Sequence, residues 1–133
     1  MNTAIVLAAG KGTRMNAGMN KQFMLINDRP LLAQTLAAFQ SCNAIDSIIL
    51  VAGRDELKTC KEQIIDRYGF DKVDKLVPGG SERQQSVYNG IMELEDDCSI
   101  VVIHDGARPI LPEGIIERCI DGAEIYGAVS AGM

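Results

Sequence analysis

Three short segments carry residue types suited to holding a polyanion. The first is Leu7-Ala8-Ala9-Gly10-Lys11-Gly12-Thr13-Arg14-Met15. Its glycines and alanines let backbone N–H groups approach an anion that a larger side chain would hold away. It is neither a Walker A loop, since no Gly-Lys-Ser/Thr follows four residues after a glycine, nor a dinucleotide fingerprint, because Met15 stands at the third glycine position. Lys21 follows Arg14 by seven residues in Asn20-Lys21-Gln22-Phe23, and two cations on one loop could embrace a triphosphate from opposite sides. The second segment, Pro78-Gly79-Gly80-Ser81-Glu82-Arg83-Gln84-Gln85-Ser86, joins a glycine pair to a helix start. It offers donors to a base edge or an anion. The third, His104-Asp105-Gly106-Ala107-Arg108-Pro109, brings a carboxylate out of a buried run. One carboxylate plus substrate phosphates is how Mg²⁺ is commonly held; the alternative is an Asp105–Arg108 ion pair. His104 falls on the opposite strand face from Asp105 and reads as a packing residue.

The elements that must position these segments alternate. Apolar runs at Ile5–Leu7, Ile45–Ala52, Val73–Val77 and Ser99–His104, with a weaker one at Gly127–Gly132, read as strands. Between them lie helical patterns. Pro30 opens one carrying Leu32, Leu36 and Phe39; Asp55 caps a second that runs to Tyr68 and stops at Gly69; Ser81 and Gln84 form a capping box for a third with Val87, Ile91 and Leu94; Pro112 opens a fourth with Ile115, Ile116 and Ile120. Strict β/α alternation calls for an α/β fold, a mostly parallel sheet with helices on both faces and ligands at the carboxyl ends of its strands.

With 133 residues, 47% of them hydrophobic and 23% charged, the chain suits one domain able to bury roughly two thirds of its unfolded surface. Thirteen Lys and Arg against eighteen Asp and Glu give a net charge of −5, a poor match to nucleic acid. Residues 1–40 nevertheless hold Lys11, Arg14, Lys21 and Arg29 against Asp28 alone, which suits a local anion site. No apolar run reaches the roughly 20 residues of a membrane helix and no signal peptide is evident, so a cytoplasmic protein with a small-molecule partner is expected. Cys42, Cys60, Cys98 and Cys119 lack zinc-ligand spacing and read as small apolar side chains.

LAAGKGTRM with NKQF, then GGSERQQSV, then HDGARP, resembles the 2-C-methyl-D-erythritol 4-phosphate cytidylyltransferase family along essentially the whole chain. The resemblance implies a Rossmann-like nucleotidyltransferase fold that joins CTP to methylerythritol phosphate, with Mg²⁺, and releases pyrophosphate. It implies that Arg14 and Lys21 hold the triphosphate and stabilise the transferring phosphorus, and that Asp105 holds the metal. Ala8, Ala9, Gly10, Lys11, Gly12, Gly79, Gly80, Ser81, Ser86, Ala107 and Arg108 would line the nucleotide site, with the Gly79–Gly80 backbone and the Ser86 hydroxyl reading cytosine. Members of the family continue for nearly a hundred residues through a β-arm that builds a homodimer. The chain is therefore expected to be an N-terminal portion that keeps the CTP half and, alone, is mainly monomeric. Two other readings remain: ribitol 5-phosphate cytidylyltransferase, disfavoured by Ala9 and Gly106-Ala107, and a nucleotide-binding module without turnover.

Overall fold

After Asn2 and Thr3, residues 4–8 are apolar without a break, a pattern that suits a strand covered on both faces. In the computed structural model, which describes residues 1–9, 25–26, 29–106, 116 and 118, together they form β1 (Asn2–Ala8), an inner strand of the sheet. The described elements continue with β2 (Leu25–Ile26), β3 (Arg29–Pro30), α1 (Leu31–Gln40) and β4 (Ser47–Ala52). Then come α2 (Leu57–Thr59), β5 (Val73–Pro78), α3 (Arg83–Ile91) and β6 (Ile100–Asp105). The main sheet has four strands in the order β5-β4-β1-β6, all parallel. The expected α/β architecture with helices on both faces is present. The short antiparallel hairpin β2–β3 is not foreshadowed by hydrophobic periodicity, because two-residue strands are too short to show a period.

Side-chain alternation along β1 divides the core. Ala4, Val6 and Ala8 face one side with Ile48 and Leu50, where α1 contributes Leu32, Leu36 and Phe39 and the second helical segment contributes Cys60, Ile64 and Ile65. Ile5 and Leu7 face the other with Ile49, Val51 and Val77, against Val87 and Leu94. Ile116, at 8% exposure, belongs to the first cluster. The remainder of the expected fourth helix and the Gly127–Gly132 strand lie outside the described residues.

One helix start and one helix face differ from expectation. The second helical segment opens with a 3-10 turn over Arg54–Glu56 whose cap is Gly53, so Asp55 lies inside the first turn, where a carboxylate still favours the helix dipole. Past α2 it widens into a π-helix over Cys60–Asp66, and Gly69, with φ 68°, stops it as the glycine rule requires. Along α3, Ile91 is 43% exposed rather than buried. Gly90 takes the place against the sheet: a Cβ there would sit 2.9 Å from Ile5 Cγ2 and 3.2 Å from Val51 Cγ2. The close seat of the helix therefore runs through Ser86, Val87 and Gly90 and leaves Ile91 at its margin.

Candidate nucleotide site

β1, β4 and β5 step outward in one direction, after which the chain returns to place β6 on the other side of β1. That reversal leaves a crevice beyond the carboxyl ends of the strands, the usual ligand position in such sheets. Ala8 and Ala9 come to it from β1, Gly79 and Gly80 from β5, and Asp105 from β6.

The β1 and β5 ends touch. A methyl group at Gly79 would collide with the Ala9 Cβ and lie 2.8 Å from Ser86 Oγ, so only glycine lets the two ends close at this position. Gly79 N–H donates to Ala52 O at 2.7 Å, extending the β4–β5 ladder by one residue. Gly80 N–H donates to Ser86 Oγ at 3.1 Å. Ser81 N–H and its hydroxyl both donate to Gln85 Oε1, at 3.1 and 3.3 Å. The expected Ser81–Gln84 capping box is thus replaced: the cap of α3 is Glu82, which makes no side-chain cap bond, and Gln85 is the residue that reaches back. One turn of α3 clamps the glycine segment through Gln85 and the fully buried Ser86. The consequence is chemical. The amides of Gly79, Gly80 and Ser81, expected as donors to a ligand, are all spent inside the protein.

At the end of β6, Asp105 stands opposite Leu7 in parallel register, which puts it on the α3 side of the sheet. Arg83, the first residue of α3, places Nη2 3.5 Å from Asp105 Oδ1, with side-chain exposures of 63% and 37%. Arg108, the partner considered from sequence, lies outside the described residues. His104 points to the other face and packs its ring on Phe39, centroids 5.6 Å apart, the packing role expected of it. Gly106 N–H donates to Leu7 O at 2.7 Å. Its carbonyl accepts from the buried Thr35 hydroxyl at 2.8 Å, closer than that hydroxyl lies to Leu31 O at 3.2 Å. The turn that follows Asp105 is thereby tied to β1 and to α1.

Ala8, Ala9, Gly79, Gly80, Ser81, Ser86 and Asp105 are gathered at this end of the sheet. Gly10, Lys11, Gly12, Arg14, Lys21, Ala107 and Arg108 lie outside the described residues. Thr35, Arg83 and Gln85 were not singled out from sequence. Thr35 carried a signal, a hydroxyl on the apolar face of a helix, which must find a partner when buried; Arg83 and Gln85 had only their place in the glycine segment. Among the described residues no three His, Cys, Asp or Glu side chains converge as a metal cage. A half-exposed carboxylate such as Asp105 fits a cation that takes its remaining ligands from phosphate oxygens and water.

Comparison with known proteins agrees with this fold. The family model described as 2-C-methyl-D-erythritol 4-phosphate cytidylyltransferase matches residues 2–132. The protein of that name from Clostridium acetobutylicum is 49% identical over 133 residues, covering 100% of this chain and 58% of the relative. The one from Clostridium botulinum strain Langeland is 48% identical over 132 residues, covering 99% and 57%. The chain thus spans somewhat over half the length of these relatives. The crystal structure of 4-diphosphocytidyl-2C-methyl-D-erythritol synthase from Anaerococcus prevotii DSM 20548 superposes with a TM-score of 0.76 at 30% identity, covering 91% of this chain and 49% of that one. With the family model spanning nearly the whole chain and the parallel α/β fold shared with a solved member, the chain belongs to the 2-C-methyl-D-erythritol 4-phosphate cytidylyltransferase family.

Proposed function

We propose that this chain builds the CTP-binding part of an enzyme that transfers CMP from CTP to 2-C-methyl-D-erythritol 4-phosphate, releasing pyrophosphate, in the cytoplasm. The observation that carries the reading is the convergence of Ala9, Gly79, Gly80 and Ser86 into one clamped crevice beside Asp105. The engaged amides give it a specific form. With the N–H groups of Gly79, Gly80 and Ser81 held internally, the segment meets a base with carbonyl oxygens. Carbonyls accept from the amino group of cytosine, whereas uracil presents a carbonyl at the same position and a purine is too large. Ser86 acts behind the base as a brace.

In the transfer, an acceptor phosphate oxygen forms a bond to the α-phosphorus of CTP as the bond to the β-phosphate breaks. The acceptor monoester is already ionised near neutral pH, its second pKa being about 6, so no general base is required. Arg14 and Lys21 are assigned to the triphosphate and to the charge that develops on the transferring phosphoryl group. Asp105 is assigned to a divalent cation, which when bound supplies further positive charge to the phosphates.

Calorimetry with CTP, UTP, ATP and GTP in the presence of Mg²⁺, alongside pyrophosphate release with CTP and methylerythritol phosphate, tests the reading. CTP is expected to bind in clear preference to the other three. Equal affinity for CTP and UTP would remove the carbonyl argument, and equal affinity for CTP and ATP would remove base recognition altogether.

A further inference from the structure

Arg83 breaks a local rule. It is a cation in the first turn of α3, where the exposed N–H groups make the helix end positive; the acid at that end is the Glu82 cap, which makes no side-chain cap bond. Its pairing with Asp105 does not repay this, because an exposed pair at 3.5 Å adds little stability. Local rules are broken most often where function requires it. The backbone of Arg83 is nonetheless well placed, since Gln85 and Ser86 clamp the segment before it and Gly90 seats the helix tightly on β1 and β4. From that fixed base the side chain crosses from α3 to the end of β6.

We propose that Arg83 is a positioning residue that makes cation and nucleotide binding depend on each other, an inference that rests on the CTP reading above. Before nucleotide arrives, the guanidinium holds the Asp105 carboxylate and repels a divalent cation from it. When the polyphosphate arrives, its oxygens are the stronger acceptors for the planar fork of the guanidinium. Arg83 moves to them, and its charge no longer opposes a cation at Asp105. Each ligand removes the obstacle to the other, which is positive coupling in the thermodynamic sense.

The test uses Mn²⁺ as the probe cation, its free concentration followed by electron paramagnetic resonance, with Arg83→Gln, Arg83→Lys, Asp105→Asn and the double variant R83Q/D105N. Without CTP, Arg83→Gln is expected to bind Mn²⁺ about threefold or more tightly than the unsubstituted protein, because a like charge close to the carboxylate is gone. At saturating Mn²⁺ the same variant is expected to bind CTP about tenfold more weakly, having lost a charge-assisted contact. Arg83→Lys should fall between. In the Asp105→Asn background, Arg83→Gln should no longer change Mn²⁺ affinity, while its cost to CTP should persist. A merely structural role would not move the two affinities in opposite directions. Unchanged or weaker Mn²⁺ binding by Arg83→Gln, or the same gain in Mn²⁺ affinity with and without Asp105, overturns the inference. If the unsubstituted protein takes up no CTP with Mn²⁺, the proposed function falls and this inference with it; CTP uptake with no gain in Mn²⁺ affinity in Arg83→Gln overturns the inference alone.

Discussion

Ala9, just past the end of β1, and Gly79, just past the end of β5, approach so closely that no side chain larger than hydrogen fits at position 79. The strands that carry them are separated in the sheet by β4. Their contact closes over the β4 strand end, where Ala52 O accepts from Gly79 N–H, and forms the floor of the crevice at the strand ends.

Gly79→Ala should therefore be unusually damaging for so small a change. Overpacking of this kind costs about 1–3 kcal/mol, and the displaced backbone would also pull Gly80 from Ser86. Urea unfolding should show the stability loss, with CTP affinity falling by at least about tenfold through the same displacement. Adding Ala9→Gly should recover part of both, since it removes the colliding methyl. Full retention of CTP affinity in Gly79→Ala would show that the contact does not shape the site.

Thr35→Val keeps the shape of a buried side chain and deletes its hydroxyl. Gly106 O then loses a 2.8 Å donor, at an expected cost of about 1–3 kcal/mol for a buried acceptor left unsatisfied. Hydrogen exchange should quicken at the Gly106 amide, which is bonded to Leu7 O. An unchanged exchange rate there would mean that α1 does not hold the turn after Asp105.

Burial, and secondarily the charge of Glu56, pushes the pKa of the Cys60 thiol up to about 12 from the ordinary thiol value of 9.0. The reactive thiolate is correspondingly scarce. Iodoacetamide at pH 8 should label Cys60 at least about tenfold more slowly than the half-buried Cys98, as read by peptide mass mapping. The sign for stability follows. The contribution is complete below pH 9.0 and is lost as pH rises toward about 12, because the unfolded chain releases the proton first. Equal labelling of the two cysteines would contradict the burial.

Arg14→Ala and Lys21→Ala should each lower the turnover number by about 10²-fold or more where cytidylyl transfer is measured by pyrophosphate release, as loss of a preorganised transition-state donor does. Far-UV circular dichroism should be unchanged. Normal turnover in either variant would remove the role assigned to that residue.

The sequence by itself determined the parallel α/β architecture, because strands covered on both faces need continuous apolar runs and the helices between them need a 3.6-residue period, and both patterns are local. It also determined the strand-end placement of Ala8, Ala9, Gly79 and Asp105, since each directly follows or closes such a run. Hydrogen-bond partners are not local in this sense. Whether Gln84 or Gln85 reaches back to Ser81 depends on where α3 starts, and tertiary packing sets that start by seating Gly90 against Ile5 and Val51. The π-helical widening at Cys60–Asp66 was equally hidden, because an apolar stripe of mixed spacing suits α and π turns alike. The Arg83–Asp105 pair and the Thr35–Gly106 bond join residues far apart in the chain. Only the return of β6 to the far side of β1 brings them within reach.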